Sequence, residues 1–406
     1  MKCRHCSKAL ENTFLDLGFQ PPSNAYLSAK ELQVPETYFP LKILVCDSCW
    51  LVQTEDYSSS DVFFTEDYAY FSSVSSSWLD HASKYCRMII ERLNLSKDSL
   101  VVEVASNDGY LLKNFVAAGI PCLGIEPTDS TAKVAEEQGI PVIREFFGMD
   151  FAKNNFGLKK ADLILGNNVY AHVPDINDFT EGLKFALKEQ GTITLEFPHL
   201  MQLLRHSQFD TVYHEHFSYL SLYSVKKIFE ASGLKVFDVE EILTHGGSLR
   251  VYGCHLDDNR STSLNVTAII ENEIRDGMQH LSTYLSFQAR ADKVKNDLLS
   301  FLLEQKKSNK TVIAYGAAAK GNTILNYAGI KPDLIGCVFD AAESKQGKYM
   351  PGSHIPIMSP IDFNSNLTDF VLILPWNIAD EVRKQLNESG VNNVKFVTAI
   401  PELKIS

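Results

Sequence analysis

The chain has 406 residues, 45% of them hydrophobic, and a formal net charge of −12. That length accommodates two to four domains with sizeable cores, and the acidic balance argues against nonspecific binding to nucleic acid, whose phosphates repel such a surface. No apolar run approaches the ~18 residues that a membrane-spanning helix requires, and Met1-Lys-Cys-Arg-His-Cys6 carries no apolar signal segment; a cytoplasmic protein with reduced thiols is expected.

Cys3-x2-Cys6 and Cys46-x2-Cys49 form two knuckles. Each presents two sulfurs to one tetrahedral ion, and four thiolates close the shell of a structural zinc. Cys3, Cys6, Cys46 and Cys49 are therefore the predicted ligands, with His5 a bystander. The 39 residues between Cys6 and Cys46 carry turn signals at Gly18, Pro21-Pro22 and Pro35, which predicts a loop-rich lobe drawing folding energy from the metal. A redox role is disfavoured because neither motif opens a helix after a strand. Lysines and arginines are too few here for a nucleic-acid ribbon. Cys86, Cys122, Cys254 and Cys337 are scattered and read as small core residues or inert surface.

Residues 57–77 are dense in serine and tyrosine, a composition that builds no core. It suits a flexible linker, although the doublet Tyr68 and Tyr70 favours contact with a ligand. Trp78 to Leu93 has helical periodicity. The most informative stretch follows. Leu100 to Val104 reads as a buried strand, Glu103-Val-Ala-Ser-Asn-Asp-Gly109 runs into its loop, Tyr110 to Ala118 is a helix, and Pro121 to Ile125 is a second strand ending in Glu126. An acid at that tip suits the two hydroxyls of a ribose. The loop lacks G-x-G-x-x-G, so no glycine lets the backbone approach a pyrophosphate. An adenosine without phosphates, as in S-adenosylmethionine (SAM), is favoured over a dinucleotide; an ordinary βαβ unit with a polar turn carries the same pattern.

The alternation continues with a helix at Ser130 to Gln138 and strands at Pro141 to Arg144 and Ala161 to Leu165. The last ends in Gly166-Asn167-Asn168, at the carboxyl end where open α/β sheets bind ligands. His172-Val-Pro-Asp175, a helix from Ile176 to Leu187 and a strand from Gly191 to Phe197 complete a predicted doubly wound parallel sheet. Asn168 and His172 also suit helix capping and turn hydrogen bonding. The densest polar cluster is Tyr213-His214-Glu215-His216. It is not H-E-x-x-H, so helical zinc-protease geometry fails. On a strand, His214 and His216 would share a face and Glu215 would oppose them. Acid–base chemistry is favoured, with a histidine titrating near neutral pH beside a carboxylate or phenol that orients it; a hydrogen-bonded strand edge is the alternative.

Thr244-His245-Gly-Gly-Ser-Leu-Arg250 leads into a strand from Leu249 to Cys254. Its glycines, with His245 and Arg250, can receive an anion or form a plain turn. Ile269 to Lys306 reads as one long helical stretch that bridges domains. A second βα unit then places a strand at Thr311 to Tyr315 and a loop at Gly316 to Thr323. Asn322 stands where a P-loop has lysine, so no ATPase site is expected, although a helix N-terminus with Lys320 can hold a phosphate. Cys337 to Asp340 repeats the strand-plus-acid arrangement of Glu126, and Val371 to Leu374 is a later strand. The carboxyl-terminal half reads as a degenerate copy of the first.

Together these residues resemble the SAM-dependent sugar C-methyltransferases of nucleotide-linked deoxysugar pathways. The resemblance covers nearly the whole chain. It rests on the knuckles with Asp16-Leu-Gly18 and Gln20-Pro-Pro-Ser-Asn24, on Asp67-Tyr-Ala-Tyr-Phe-Ser-Ser73, Glu103 to Gly109, Tyr213 to His216, His245 to Arg250, and Gly316 to Thr323. It implies an α/β protein in three parts: a zinc-binding lobe (1–60), a central Rossmann-like SAM-binding domain (61–243) and a carboxyl-terminal Rossmann-like domain (244–406) that receives a nucleotide sugar. The implied reaction removes the C3 proton of a 4-keto-6-deoxy sugar, dTDP-linked in preference to GDP-linked, and methylates the enolate carbon. The implied base is His216, assisted by Glu215, Tyr213 and Tyr70. Tyr68, Glu103, Ser106, Asn107, Gly109, Glu126 and Asn168 would line the SAM pocket, and His245, Arg250, Lys320 and Asn322 would take the diphosphate and nucleotide. The expected ligands are SAM, a structural zinc and a small-molecule nucleotide sugar, bound by a monomer that uses neither nucleic acid nor membrane. Two competing readings are a zinc-containing nicotinamide-dependent oxidoreductase acting on a nucleotide sugar, with His216 as proton donor, and a noncatalytic zinc-ribbon adaptor.

Overall fold

The computed structural model describes residues 1–55, 72–74, 76–391 and 393–406. Tyr68, Tyr70 and the expected boundary at 60/61 lie outside the described residues.

Seven strands build the central sheet in the order Leu234–Ile242, Ser248–His255, Leu187–Pro198, Ala161–Asn167, Val101–Val104, Cys122–Ile125, Val142–Ile143. The last five are parallel, because helices Leu112–Ala117, Asp129–Glu137, Met149–Phe156 and Ile176–Ala186 carry the crossovers between them. The first two are antiparallel, a departure from the all-parallel expectation. Ser248–His255, expected to open the carboxyl-terminal domain at 244, inserts instead into the middle of this end of the central sheet. Its residues dictate that position. Leu249 and Val251 are buried in one core cluster and Tyr252 and Cys254 in the other, and a strand apolar on both faces must be covered on both.

The carboxyl-terminal sheet has the order Ile357–Met358, Val338–Phe339, Val312–Tyr315, Phe370–Ile373, Lys395–Thr398, Lys404–Ile405, parallel except for the last strand. The long helical stretch is three helices, Leu264–Arg275, Leu281–Leu285 and Phe287–Lys307. It breaks at Gly277, whose φ of +74° ends the first of them.

The amino-terminal lobe, with a long loop between its first two strands, also carries a sheet. Asn12–Gln20, Phe39–Val45 and Val52–Thr54 form an antiparallel sheet, and Ser218–Tyr219, just after the Tyr-His-Glu-His segment, adds a fourth strand. The sheet is possible because its apolar face is covered by its neighbours. Phe14 is 1% exposed, stacked on Phe287 at 4.8 Å between ring centroids and edge-on to Tyr284 at 5.9 Å. No helix among the described residues is long and apolar enough to cross a membrane.

Candidate active site

The carboxyl ends of both parallel sheets and the amino-terminal lobe converge on one cavity of about 540 Å³, lined by Asn107, Glu126 and Asn167 at one end, by Lys320 and Asn377 at the other, and by Asn24 of the lobe. That volume suits a ligand site.

At the central domain's end the backbone is held in left-handed conformations: Ala105, Asn107 and Asn168 have φ of +55°, +49° and +56°. Such strain at non-glycine residues persists only where the surroundings over-determine it, and it clusters at binding sites. Gly109, at φ +76°, relieves it and lets the loop close on Ile140 and Ala135, which a Cβ there would strike. The Glu126 carboxylate accepts the N–H of Asn107 at 2.9 Å and of Thr128 at 3.0 Å. It is thereby aimed into the cavity, with lone pairs left for two ribose hydroxyls. Burial pushes its pKa up and these bonds oppose the shift. Both amide atoms of Asn167 lack a hydrogen-bond partner among the described residues, although the side chain lines the cavity. Burying such a group without a partner is costly, so the wall fits a polar ligand.

Three residues expected in this wall do not line it. Glu103 is 1% exposed beneath the loop. Burial, then Asp108 and Glu126, push its carboxyl far above the usual range. Ser106 is fully buried, its hydroxyl lying where a Cβ on Gly124 would go. Gly109 contributes its backbone conformation only. All three shape the loop from below.

Tyr213 to His216 form a turn, closed by the His216 N–H on the Tyr213 carbonyl at 3.0 Å, so strand alternation does not apply. Tyr213, Glu215 and His216 all line the cavity, while His214 points away to the Pro40 carbonyl at 3.2 Å. His216 Nδ1 lies 2.8 Å from the Thr211 carbonyl. A carbonyl only accepts, so Nδ1 carries the proton and Nε2 is the basic nitrogen. His172 repeats the device, with Nδ1 2.8 Å from the Glu215 carbonyl. The two rings meet edge-on at 4.6 Å. Burial lowers the pKa of His172 to about 4, and burial and then His172 lower that of His216 well below 6.5, so both imidazoles are neutral at pH 7. Burial pushes Glu215 up to about 7 while Asn24 opposes the shift. His172 had no sequence signal beyond its place six residues after a strand's last buried position.

Beside that wall His245, at φ +54°, sets Nε2 3.1 Å from the Asn168 amide nitrogen. Lys320, in the first turn of helix Ala319–Tyr327, donates to Asn377 Oδ1 at 2.9 Å and lies 4.9 Å above the Trp376 ring. Burial lowers its pKa, and Asp210 opposes that. Arg250 and Asn322, expected beside them, are absent from the lining. Arg250 stands in register between Glu240 and Glu196 on the flanking strands, and its guanidinium is spent on both, at 2.7 Å to Glu196 and 2.9 Å to Glu240. Asn322 is buried, and its amide donates to the Ser23 carbonyl of the lobe.

The sulfurs of Cys3, Cys6, Cys46 and Cys49 all lie within 4.8 Å of one another, with Cys3–Cys49 and Cys6–Cys46 each at 3.5 Å. Zn–S bonds of ~2.3 Å in a tetrahedron set such spacings at ~3.8 Å, so the four thiols fit a zinc ion. His5 faces Asn177 at 2.9 Å instead.

Three family models match the chain: "Putative zinc binding domain" over residues 3–64, "Methyltransferase domain" over 78–239 and "C-methyltransferase C-terminal domain" over 243–401. The chain is 33% identical over 407 residues to the C-methyltransferase NovU of Streptomyces niveus, covering 100% of this chain and 96% of that one. Among solved structures, magnesium protoporphyrin IX methyltransferase of Synechocystis with bound SAM matches 44% of this chain and 79% of its own, at 13% identity and a TM-score of 0.35. A SAM-dependent methyltransferase of Clostridium acetobutylicum matches 44% and 92%, at 12% identity and a TM-score of 0.35. The full-length relationship to a C-methyltransferase sets aside the oxidoreductase and adaptor readings: this chain belongs to the family of SAM-dependent C-methyltransferases with an amino-terminal zinc-binding lobe.

Proposed function

We propose that the enzyme methylates C3 of a nucleotide-linked 4-keto-6-deoxy sugar, dTDP-linked in preference to GDP-linked, in the synthesis of a branched deoxysugar. The observation that carries this reading is a buried, neutral imidazole, His216, with its basic Nε2 left available in a cavity that reaches from Glu126 to Lys320. The ketone acidifies the C3–H. His216 Nε2 takes that proton and leaves an enolate. When bound, SAM supplies a methyl group on a sulfonium, the electrophile for a carbon nucleophile. Tyr213 donates to the enolate oxygen, Glu215 accepts a sugar hydroxyl, and Tyr70 joins them in holding the ring. Electrostatic stabilisation of the enolate is the larger contribution.

At the adenosine end Glu126 takes the ribose hydroxyls, Asn107 and Asn168 line the wall with Asn167, and Tyr68 is assigned to the same ligand. Lys320 and the first turn of its helix, whose N–H groups carry partial positive charge, hold the diphosphate, and His245 closes the same side. The carboxyl-terminal domain thus receives the nucleotide of a small-molecule substrate, and a cytoplasmic monomer suffices for the chemistry.

The test is to incubate the protein with SAM and a panel of 4-keto-6-deoxy nucleotide sugars and to look for a mass gain of one methyl group. Both C3 and C5 flank a 4-ketone, so carbon–proton correlation spectra of the product then locate the new methyl. A methyl at C5 overturns the C3 assignment, and no transfer to any member overturns the substrate class.

A further inference from the structure

The segment between the first two strands of the amino-terminal lobe leaves its own sheet and crosses to the carboxyl-terminal domain. The Ser23 carbonyl accepts from Asn322, and the Tyr26 hydroxyl donates to the Ala317 carbonyl at 2.6 Å. Leu27 and Tyr349 exchange backbone bonds at 3.0 and 2.8 Å, and Glu36 accepts from the Gly352 N–H at 2.7 Å and pairs with His354 at 2.8 Å. These anchors set Asn24 in the cavity wall. There its Nδ2 donates to both oxygens of Glu215, at 3.0 and 2.8 Å. One nitrogen shared between two oxygens addresses a carboxylate, because a protonated carboxyl would offer its hydroxyl, with reduced acceptor capacity, to one of those contacts.

We propose that Asn24 is a positioning residue for the methyl transfer: its amide holds Glu215 as a carboxylate whose remaining lone pairs face a hydroxyl of the sugar. The inference rests on the reading above in which Glu215 faces the substrate. Burial works against it, pushing Glu215 up to about 7, and the Asn24 amide works for it. Among the described residues, the other titratable groups around Glu215 are Tyr213 and His216 in its own turn, His172 bonded to its carbonyl, Tyr26 on the crossing segment, and Lys320 and Lys345 in the cavity wall. Both imidazoles are neutral at pH 7, so among the described residues the amide is the side chain that favours the charged form in direct contact.

The experiment measures kcat and KM against pH for the full-length zinc-loaded protein, with saturating SAM and varied dTDP-4-keto-6-deoxyglucose, in wild type, Asn24→Ala, Asn24→Asp and Glu215→Gln. Removing the amide raises the pH at which Glu215 ionises. Asn24→Ala should therefore move the acidic limb of kcat/KM up by about one pH unit, raise KM severalfold at pH 7, recover toward wild type at pH 9, and leave SAM affinity unchanged by calorimetry. Asn24→Asp, similar in shape but anionic, should move the limb further. A uniform loss at every pH, or a fall in Tm with the limb in place, makes Asn24 merely structural and overturns the proposal; so does failure of both Asn24 variants to fold. Glu215→Gln separates the two ideas. An unaltered profile in that variant removes Glu215 from the site, whereas loss of the limb in Glu215→Gln but not in the Asn24 variants removes only Asn24.

Discussion

In the proposed reaction His216 is the base, and its contact with Thr211 shows how little is needed to prepare it. The carbonyl 2.8 Å from Nδ1 fixes the tautomer, and burial keeps the ring neutral. Asparagine can keep the bond to Thr211 and removes Nε2. His216→Asn should therefore bind SAM as wild type does, by calorimetry, and lose turnover by roughly 10²–10⁴-fold; full turnover would transfer the role to another group, with His172 the first candidate. His172 also makes a stability prediction. Its folded pKa of about 4 lies below the 6.5 of an unfolded imidazole. Below pH 6.5 the unfolded chain takes up a proton that the folded chain refuses until about pH 4, so this group costs stability progressively as the pH falls through that window. Between pH 7.5 and 4.5 the wild type should lose about 2–3 kcal/mol relative to His172→Gln, measured as the difference between urea unfolding curves at the two pH values. A pH-independent difference would mean that His172 titrates normally in the fold.

The four-cysteine knuckle braces elements that carry the proposed reaction. Arg4, between Cys3 and Cys6, donates to the Pro174 carbonyl at 2.8 Å and to the Thr54 carbonyl at 3.0 Å, and its guanidinium covers the Phe217 ring at 5.1 Å. Strand Val52–Thr54 pairs with Ser218–Tyr219. The Tyr213–His216 turn is therefore held from behind by the lobe, whereas the Glu126 carboxylate is fixed by the N–H groups of Asn107 and Thr128 within the central domain. Zinc removal, or Cys46→Ser, should lower the Tm of the whole protein and, below that transition, weaken nucleotide-sugar binding more than SAM binding, both read by calorimetry; equal loss of both ligands would show that the knuckle supports the two ends of the cavity alike. This division of labour explains what the sequence could reveal. The Glu103 to Glu126 unit is local, since strand, loop, helix and acid follow within one βα crossover, and its pattern was legible. Arg250 was misassigned because Glu196 and Glu240 become its neighbours only through strand pairing, 54 and 10 residues away. Asn322 was misassigned because its partner, the Ser23 carbonyl, is 299 residues distant. The turn at Tyr213 resembled a strand because Thr211 and Ala171, which accept from His216 and Phe217, carry no pattern in the segment itself.

At the scale of the molecule, the three parts are one folding unit. A single hydrophobic cluster takes in Phe14, Leu41 and Ile43 of the lobe, Leu200 and Phe209 of the central domain, and Phe287, Val312 and Leu372 of the carboxyl-terminal domain. No part can separate without exposing apolar surface on two others, each square ångström of which costs about 25 cal/mol. Phe14 sits where the lobe enters this cluster. Truncation to alanine removes its stacking on Phe287 and its edge contact with Tyr284, and leaves a cavity in a site that strand pairing on one side and helix Phe287–Lys307 on the other prevent from collapsing. The cost should be ~3–5 kcal/mol. Because the cluster is shared, the loss should appear in calorimetry as one transition moved to lower temperature, with zinc release, loss of the Trp376 fluorescence environment and loss of helicity coinciding. A lobe that melts alone, ahead of an undisturbed main transition, would refute this shared core and make the zinc-binding part an appendage that merely touches the two Rossmann-like sheets.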